Sequence, residues 1–138
     1  IKSEISMVHL NSFLINSNKI ISLPVILKKN HYLIFREFDK NTIFKKREYG
    51  IFEPNEKSNK LLPDFILTPC LAFDKFGYRL GYGGGYYDKT FLEYKRLGHS
   101  FVSVAVAFDD QKVDKIVKNE YDQKIDYIIT EKKIYRVR

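Results

Sequence analysis

The stretch that decides the fold runs from residue 64 to residue 108. It contains DFILT (64–68), then PCLAFDKFGYRLGYGGGYYDKTFLEYKRLGHS (69–100), then FVSVAVAF (101–108). The two apolar ends predict short buried strands, Asp64–Thr68 and Phe101–Phe108. Between them, apolar residues at helical spacing predict a helix over Tyr86–Arg96 that ends at Gly98. Two such strands around one helix predict a right-handed parallel crossover.

The rest of the chain extends this alternation in both directions. Upstream we expect a helix end and two strands, and downstream a short helix, a core strand and an edge strand: Met7–Asn16, Lys19–Ile26 and His31–Phe38, then Val113–Lys118, Tyr127–Thr130 and Ile134–Val137. The segment Phe73–Gly85 is predicted to be a long loop, and Ile43–Ile51 is ambiguous. Strands alternating with helices favour an α/β fold, here a three-layer sandwich with a mainly parallel central sheet.

Composition narrows the class of protein. The 138 residues suit one domain, 1–138, and 44% hydrophobic with 15% aromatic residues exclude a disordered chain. We expect no membrane partner, because no run approaches the ~20 apolar residues of a span. The N-terminus lacks a secretory pattern. The single cysteine, Cys70, cannot form an internal disulfide, so we expect a reducing, cytoplasmic location.

The net charge of +7 suggests an anionic partner. One alternative is a basic module that binds nucleic acid. The sequence has no zinc knuckle, helix-turn-helix or aromatic RNA-binding strand, and its lysines are scattered as on solvated faces. We therefore expect a small anionic molecule, no nucleic-acid partner and a monomer.

Five of the seven glycines lie between Gly77 and Gly85, directly before the predicted helix. Glycine permits positive φ and close backbone approach, and N–H groups at a helix start bind phosphate. Arg79 offers a cationic fork for phosphate oxygens, and Asp88 is within reach of a bridging Mg²⁺. Neither Walker A nor the dinucleotide fingerprint matches this spacing. The alternative is a flexible surface loop, which the four interleaved tyrosines disfavour.

The run PCLAFD (69–74), Gly77 and RLGYGGGYYD (79–88) resemble the signature of the 5-formyltetrahydrofolate cyclo-ligase family. Further similar positions are Glu4, Leu23-Pro24, Glu53-Pro54, Phe108, Gln111, Asp122, Asp126 and Thr130. The resemblance implies closure of 5-formyltetrahydrofolate to 5,10-methenyltetrahydrofolate while ATP becomes ADP and phosphate. Phosphoryl transfer would activate the formyl oxygen, the neighbouring amine would attack, and phosphate would leave.

The resemblance also assigns roles to residues. Arg79 and Asp88 would be catalytic, Asp88 and Asp122 would hold Mg²⁺, and Glu4 would contact the folate. The ATP phosphates would lie in a cradle made by Arg79, Leu80, Gly81, Tyr82, Gly83, Gly84, Gly85, Tyr86 and Tyr87. For Asp126 two roles stay open, a metal ligand or a cap at the entry to the strand that begins at Tyr127.

Three departures from the family pattern affect these expectations. Cys70 stands where many members have glycine, and we expect a small buried filler rather than a catalyst. The family normally has an N-terminal helical segment whose Lys and Arg reach the nucleotide, and this chain begins after it. Tyr82 and Gly84 occupy places where some relatives have Arg or Lys, so Arg79 is expected to be the sole fixed cation beside the loop. A non-catalytic remnant of the family is therefore a second alternative.

Overall fold

A computed structural model describes residues 6–137, apart from the side chain of Tyr49. These residues form two α-helices, α1 (Val8–Asn16) and α2 (Tyr86–Leu97). The strands are β1 (Ile21–Val25), β2 (Ile34–Phe38), β3 (Phe44–Lys46), β4 (Phe52–Pro54), β5 (Lys60–Leu61), β6 (Phe65–Thr68), β7 (Ala72–Phe73), β8 (Arg79–Leu80), β9 (Val102–Val106), β10 (Tyr127–Ile129) and β11 (Ile134–Arg136). Within this range neither helix has the length and apolarity that a bilayer crossing requires.

The parallel crossover predicted around the glycine run is present. β6 and β9 pair in parallel from Phe65↔Val102 to Thr68↔Ala105, and α2 lies between them in sequence. The helix buries Phe91 and Tyr94 in a cluster that includes Ile66 of β6. The apolar spacing of the helix and the apolar strand therefore fold as the sequence predicts, since each buries its hydrophobic side against the other.

A second parallel pair completes the larger sheet. β10 pairs in parallel with β9, β11 pairs antiparallel with β10, and the strand order is β11-β10-β9-β6. The connection from β9 to β10 contains one 3₁₀ turn, Asp109–Gln111, and an extended segment that we call the strap, residues 112–125. The short helix predicted at Val113–Lys118 is wrong. Its amides bond elsewhere: Val113 N–H donates to Phe73 O at 2.8 Å.

The mixed α/β class is confirmed, but the finer expectation of a three-layer sandwich with a mainly parallel central sheet is not. In the described part of the chain the strands divide among four sheets, and the parallel strand pairs are β6 with β9 and β9 with β10, beside one isolated parallel bridge, Phe73↔Lys112. β1, β2 and β5 form an antiparallel sheet. The connection between β1 and β2, residues 26–33, is shorter than the dozen or so residues that a parallel crossover needs.

The segment predicted as a long loop, Phe73–Gly85, begins with a hairpin. β7 and β8 pair antiparallel through Ala72↔Leu80 and Phe73↔Arg79. Its turn closes with Gly77 at φ 91, where Gly77 N–H donates to Asp74 O at 3.2 Å. The hairpin leaves the carboxyl end of β6 and delivers the remaining glycines to the start of α2, so the candidate site lies at that edge of the sheet.

Candidate functional site

The glycine run ends at the amino terminus of α2, as the sequence predicts. Gly83 has φ 99, and Gly85, the N-cap residue, has φ 67, so both need the freedom of glycine. Among residues 6–137, no side-chain hydrogen bond caps this end of the helix. An uncapped helix start carries N–H donors and the positive end of the helix dipole, which together attract anions.

Arg79 lies beneath this loop rather than on its surface. Its side chain is 5% exposed, and Nη2 is 3.6 Å from Asp88 Oδ1. The guanidinium carbon lies 5.7 Å from the centre of the Tyr87 ring. A Cβ built on Gly81 would meet Arg79 Nη1 at 2.8 Å, so the glycine makes room for the guanidinium. Arg79 Nε is buried without a hydrogen-bond partner among the described residues.

Asp88 contacts both the strap and Arg79 through one carboxylate oxygen. Its Oδ1 accepts from Gln123 N–H at 3.1 Å and faces the Arg79 guanidinium. Burial raises the pKa of Asp88, while Arg79 and the Gln123 N–H oppose that rise and the negative charge of Asp122 adds to it. Asp88 and Asp122 therefore lie within electrostatic reach of each other, although they come from the helix and from the strap.

Asp122 is oriented by its own turn. Its Oδ2 accepts from Asn119 N–H at 2.9 Å, and Asn119 Oδ1 accepts from Tyr121 N–H at 2.8 Å. Two neighbouring carboxylates suit Mg²⁺, which takes one or two carboxylates and completes its shell with water and phosphate oxygens. Residues 6–137 contain no group of three or more His, Cys, Asp or Glu side chains around a common point. The donor set therefore fits a cation that a phosphate ligand helps to hold.

Asp126 does not join this pair. Its Oδ2 accepts from Ser103 N–H at 2.8 Å and from Ser103 Oγ–H at 3.1 Å, and its own N–H donates to Ser103 O at 3.1 Å. These bonds tie the entry of β10 to β9 at the amino end of the parallel strands. Of the two roles left open, the cap is the one that these contacts support. Glu4 lies outside the described residues.

Sequence reasoning missed a cation beside the loop. Lys89 Nζ donates to Asn30 O at 2.8 Å and lies 3.5 Å from Gly84 O. Tyr86 Oη accepts from Asn30 N–H at 3.4 Å, so the first turn of α2 bonds both the N–H and the C=O of Asn30. The expectation that Arg79 is the sole fixed cation beside the loop is wrong. The signal was the position of Lys89 one helical turn after Gly85, where its side chain can reach back toward the glycines.

Cys70 is buried, as expected for a filler. Its thiol donates to Ala72 O at 3.2 Å, and burial raises its pKa to about 11. The protonated thiol is therefore a poor nucleophile near neutral pH. The neighbouring backbone is fixed by Gln111, whose Nε2 donates to Cys70 O at 2.9 Å and to Leu71 O at 3.1 Å. This amide joins the segment after β6 to the 3₁₀ turn after β9.

Comparison with known proteins identifies relatives of this arrangement. The sequence profile of the 5-formyltetrahydrofolate cyclo-ligase family matches residues 1–131. The chain is 37% identical to the 5-formyltetrahydrofolate cyclo-ligase of Haemophilus influenzae over 124 residues, 86% of this chain and 65% of the relative. It is 31% identical to that of Escherichia coli K12 over 107 residues, 75% of this chain and 58% of the relative. It thus spans less than two thirds of these relatives.

Solved structures show the same similarity. The NMR structure of 5,10-methenyltetrahydrofolate synthetase from Aquifex aeolicus matches with a TM-score of 0.79 and 31% identity, covering 100% of this chain and 68% of that one. The 5,10-methenyltetrahydrofolate synthetase of Mycoplasma pneumoniae matches with a TM-score of 0.68 and 25% identity, covering 94% of this chain and 67% of that one.

Proposed function

The chain belongs to the 5-formyltetrahydrofolate cyclo-ligase family, and from this premise we propose that it closes 5-formyltetrahydrofolate to 5,10-methenyltetrahydrofolate at the expense of ATP. ADP and phosphate are the other products. The formyl oxygen takes the γ-phosphoryl group, the neighbouring amine attacks the formyl carbon, and phosphate leaves as the ring closes. Such a reaction depends on positioning and on neutralising phosphate charge rather than on a protein nucleophile.

The observation that carries this proposal is the convergence of three features at one end of α2. The glycine loop reaches an uncapped helix start, Lys89 lies beside Gly84, and Asp88 in the first turn is within electrostatic reach of Asp122. N–H donors, a cation and two carboxylates together suit a metal-bound polyphosphate. The cradle residues would be Arg79, Leu80, Gly81, Tyr82, Gly83, Gly84, Gly85, Tyr86 and Tyr87.

Within this cradle we assign Arg79 an indirect part. Its side chain is 95% buried and its guanidinium faces Asp88, so it supports the loop and orients that carboxylate. Asp88 and Asp122 would hold Mg²⁺, directly or through water. Bound there, the ion would neutralise charge on the phosphate oxygens during transfer. The folate would contact Glu4, whose role rests on its match to the family pattern.

We also propose the setting in which the chain acts. It acts as a cytoplasmic monomer on small molecules, without nucleic acid, and its single domain, 1–138, has the three-layer arrangement expected from the sequence. The single cysteine, Cys70, whose thiol is buried and free, supports a reducing location. Sedimentation would test the monomer, and the salt dependence of any RNA or DNA binding would test the remaining alternative.

The experiment that tests the proposed activity follows formation of methenyltetrahydrofolate by its absorbance, with ATP and Mg²⁺ present. We expect turnover that requires 5-formyltetrahydrofolate, ATP and Mg²⁺ together. A well-folded chain that binds ATP and folate without turnover would favour the non-catalytic remnant. A chain that binds neither ligand would overturn the proposal.

A further inference from the structure

We propose that Asp74 is a positioning residue, which couples the hairpin carrying Arg79 to the strap carrying Asp122 and Gln123. Its carboxylate is fully buried, at 0% exposure. Oδ1 accepts from Phe76 N–H at 2.9 Å and from Tyr78 N–H at 3.1 Å. Oδ2 accepts from Ile116 N–H at 2.8 Å, 42 residues along the chain. One oxygen thus serves the hairpin and the other serves the strap.

The bonds around Asp74 show that hairpin and strap are joined along their length. Phe73 O accepts from Val113 N–H at 2.8 Å, and Gly77 O accepts from Ile125 N–H at 2.9 Å. Asp74 lies between these two links and is the side chain that bonds both segments at a fully buried position. Three backbone N–H groups point at its two oxygens, so the carboxylate fixes both segments through directional hydrogen bonds.

The consequence reaches the proposed metal pair. Arg79 directly follows Tyr78, one of the hairpin donors to Asp74, and its Nη2 is 3.6 Å from Asp88 Oδ1. The strap continues from Ile116 to Gln123, whose N–H donates to the same oxygen at 3.1 Å. The two segments that Asp74 joins therefore meet again at Asp88. Their relative position sets the orientation of Asp88 and its separation from Asp122.

This inference rests on the proposed function for its ligand, but its structural half can be tested without any ligand. In the wild-type chain, amide hydrogen exchange under increasing sub-denaturing urea reports which groups open together. We expect the amides of Tyr78, Ile116 and Gln123 to exchange through one shared opening. If Gln123 opens at lower urea, independently of Ile116, the coupling is absent and the proposal is overturned.

The variant Asp74→Asn tests the functional half. Its amide keeps one acceptor oxygen and presents NH₂ where a second acceptor is needed, so either the Ile116 N–H or both hairpin N–H groups lose their partner. We expect exchange at Gln123 to accelerate by at least about tenfold. Mg²⁺ affinity, titrated calorimetrically with a non-hydrolysable ATP analogue present, should fall by about tenfold, as for other residues that orient metal ligands.

The matched control is Ser103→Ala, which removes the part-buried hydrogen bonds between its hydroxyl and Asp126 but leaves every bond of Asp74 in place. It should lower the melting temperature while leaving Gln123 exchange and Mg²⁺ affinity unchanged. A folded Asp74→Asn chain with wild-type Mg²⁺ affinity and wild-type Gln123 exchange would overturn the proposal. Failure of the wild-type chain to bind the analogue with Mg²⁺ would instead count against the proposed function, and the exchange measurements would still decide the role of Asp74.

Discussion

The two ends of α2 use the same residue for different purposes. Gly85 before the helix and Gly98 after it both have left-handed backbone, at φ 67 and φ 72. At the carboxyl end the chain closes on itself: Gly98 N–H donates to Lys95 O at 3.1 Å and His99 N–H to Tyr94 O at 2.9 Å. Lys95 and Arg96 in the last turn complement the helix dipole. At the amino end, no side-chain hydrogen bond from the described residues caps the helix.

This difference separates a structural glycine from a functional one. A helix end that only needs to stop satisfies its own polar groups, as the end at Gly98 does. A helix end that binds an anion keeps its donors uncapped and gathers charge around them, as the end at Gly85 does with Lys89 and Asp88. Substitutions at matching positions of the two ends should therefore have opposite consequences for ligand binding and for stability.

The largest effect on turnover should come from Asp88, in the first turn of α2. Asp88→Asn removes a charge that the metal needs while keeping the size of the side chain, so we expect turnover to fall by about a hundredfold, from ~3 kcal/mol for a charged contact. The fold should stay intact. The control, Asp126→Ala, removes the bonds to Ser103 and should lower the melting temperature by roughly 2–8 °C. Its turnover should be unchanged.

Turnover, circular dichroism and thermal unfolding of both variants give the answer. An Asp88→Asn chain with wild-type turnover would remove Asp88 from the site. An Asp126→Ala chain that stays stable but loses Mg²⁺ dependence would restore the metal role that its contacts with Ser103 do not support.

The parts of this site that the sequence predicts are those encoded locally. Helix α2, the strands around it and the placement of Gly81–Gly85 follow from apolar spacing and glycine content within about 45 residues. The Asp88–Asp122 pair came from the resemblance to a family, because no local pattern relates a helix residue to one on the strap.

The parts that could not be predicted depend on partners distant in sequence. Val113, Ile116 and Val117 have helical spacing, yet Val117 is 96% exposed because the strap bonds to the hairpin instead of to itself. From the sequence Asp74 resembles an ordinary turn residue, because its hydrogen bond from the Ile116 N–H joins positions 42 residues apart. The sequence suggests that the Arg79 side chain is exposed, but it folds inward beside Gly81, where any Cβ would meet its Nη1 at 2.8 Å.

The second comparison concerns the glycines themselves. A Cβ on Gly84 would lie 2.4 Å from Cε2 of Tyr86, so Gly84→Val must displace that ring and disturb the loop. We expect ATP affinity to fall by about tenfold or more, roughly 1.4 kcal/mol, and folate affinity to change less. The Cβ added by Gly98→Ala would lie in open space, but alanine is strained at the left-handed φ of this position. The variant should therefore lose about 1 kcal/mol of stability and keep its ATP affinity.

Isothermal titration with each ligand separately, beside thermal unfolding, distinguishes these outcomes. A Gly84→Val chain that loses folate but keeps ATP would reverse the assignment of the loop. Loss of ATP binding in Gly98→Ala would show that the two helix ends are not independent.

A smaller effect should separate the two lysines near these ends. Lys89 is hydrogen-bonded to Asn30 O beside the loop, and Lys95 to Gln123 Oε1 near the carboxyl end at 2.9 Å. Lys89→Met should weaken ATP binding by about fivefold, near 1 kcal/mol, because a cation close to the phosphates is lost. Lys95→Met should change it by less than about twofold, as for an exposed pair. Equal effects in both variants would indicate only a change in net charge.

The smallest effect, and the most direct test of the contrast, is the sign of a pH dependence in the metal-free chain. Burial raises the pKa of Asp88, whereas hydrogen bonding to Arg96 lowers the pKa of Glu93 in the latter half of α2. A raised folded pKa means that ionised Asp88 costs stability at neutral pH, and that the cost disappears as the pH falls through the folded pKa. A lowered folded pKa means that Glu93 stabilises the fold above its unfolded pKa, and that this contribution is lost as the pH falls through the folded pKa.

Relative to wild type, Asp88→Asn should therefore melt at a higher temperature at pH 7, and Glu93→Gln at a slightly lower one. Both differences should shrink in acid. Melting curves at a series of pH values with chelator present measure this directly, and a shared sign at pH 7 would mean that the amino end of α2 is as well satisfied as the carboxyl end.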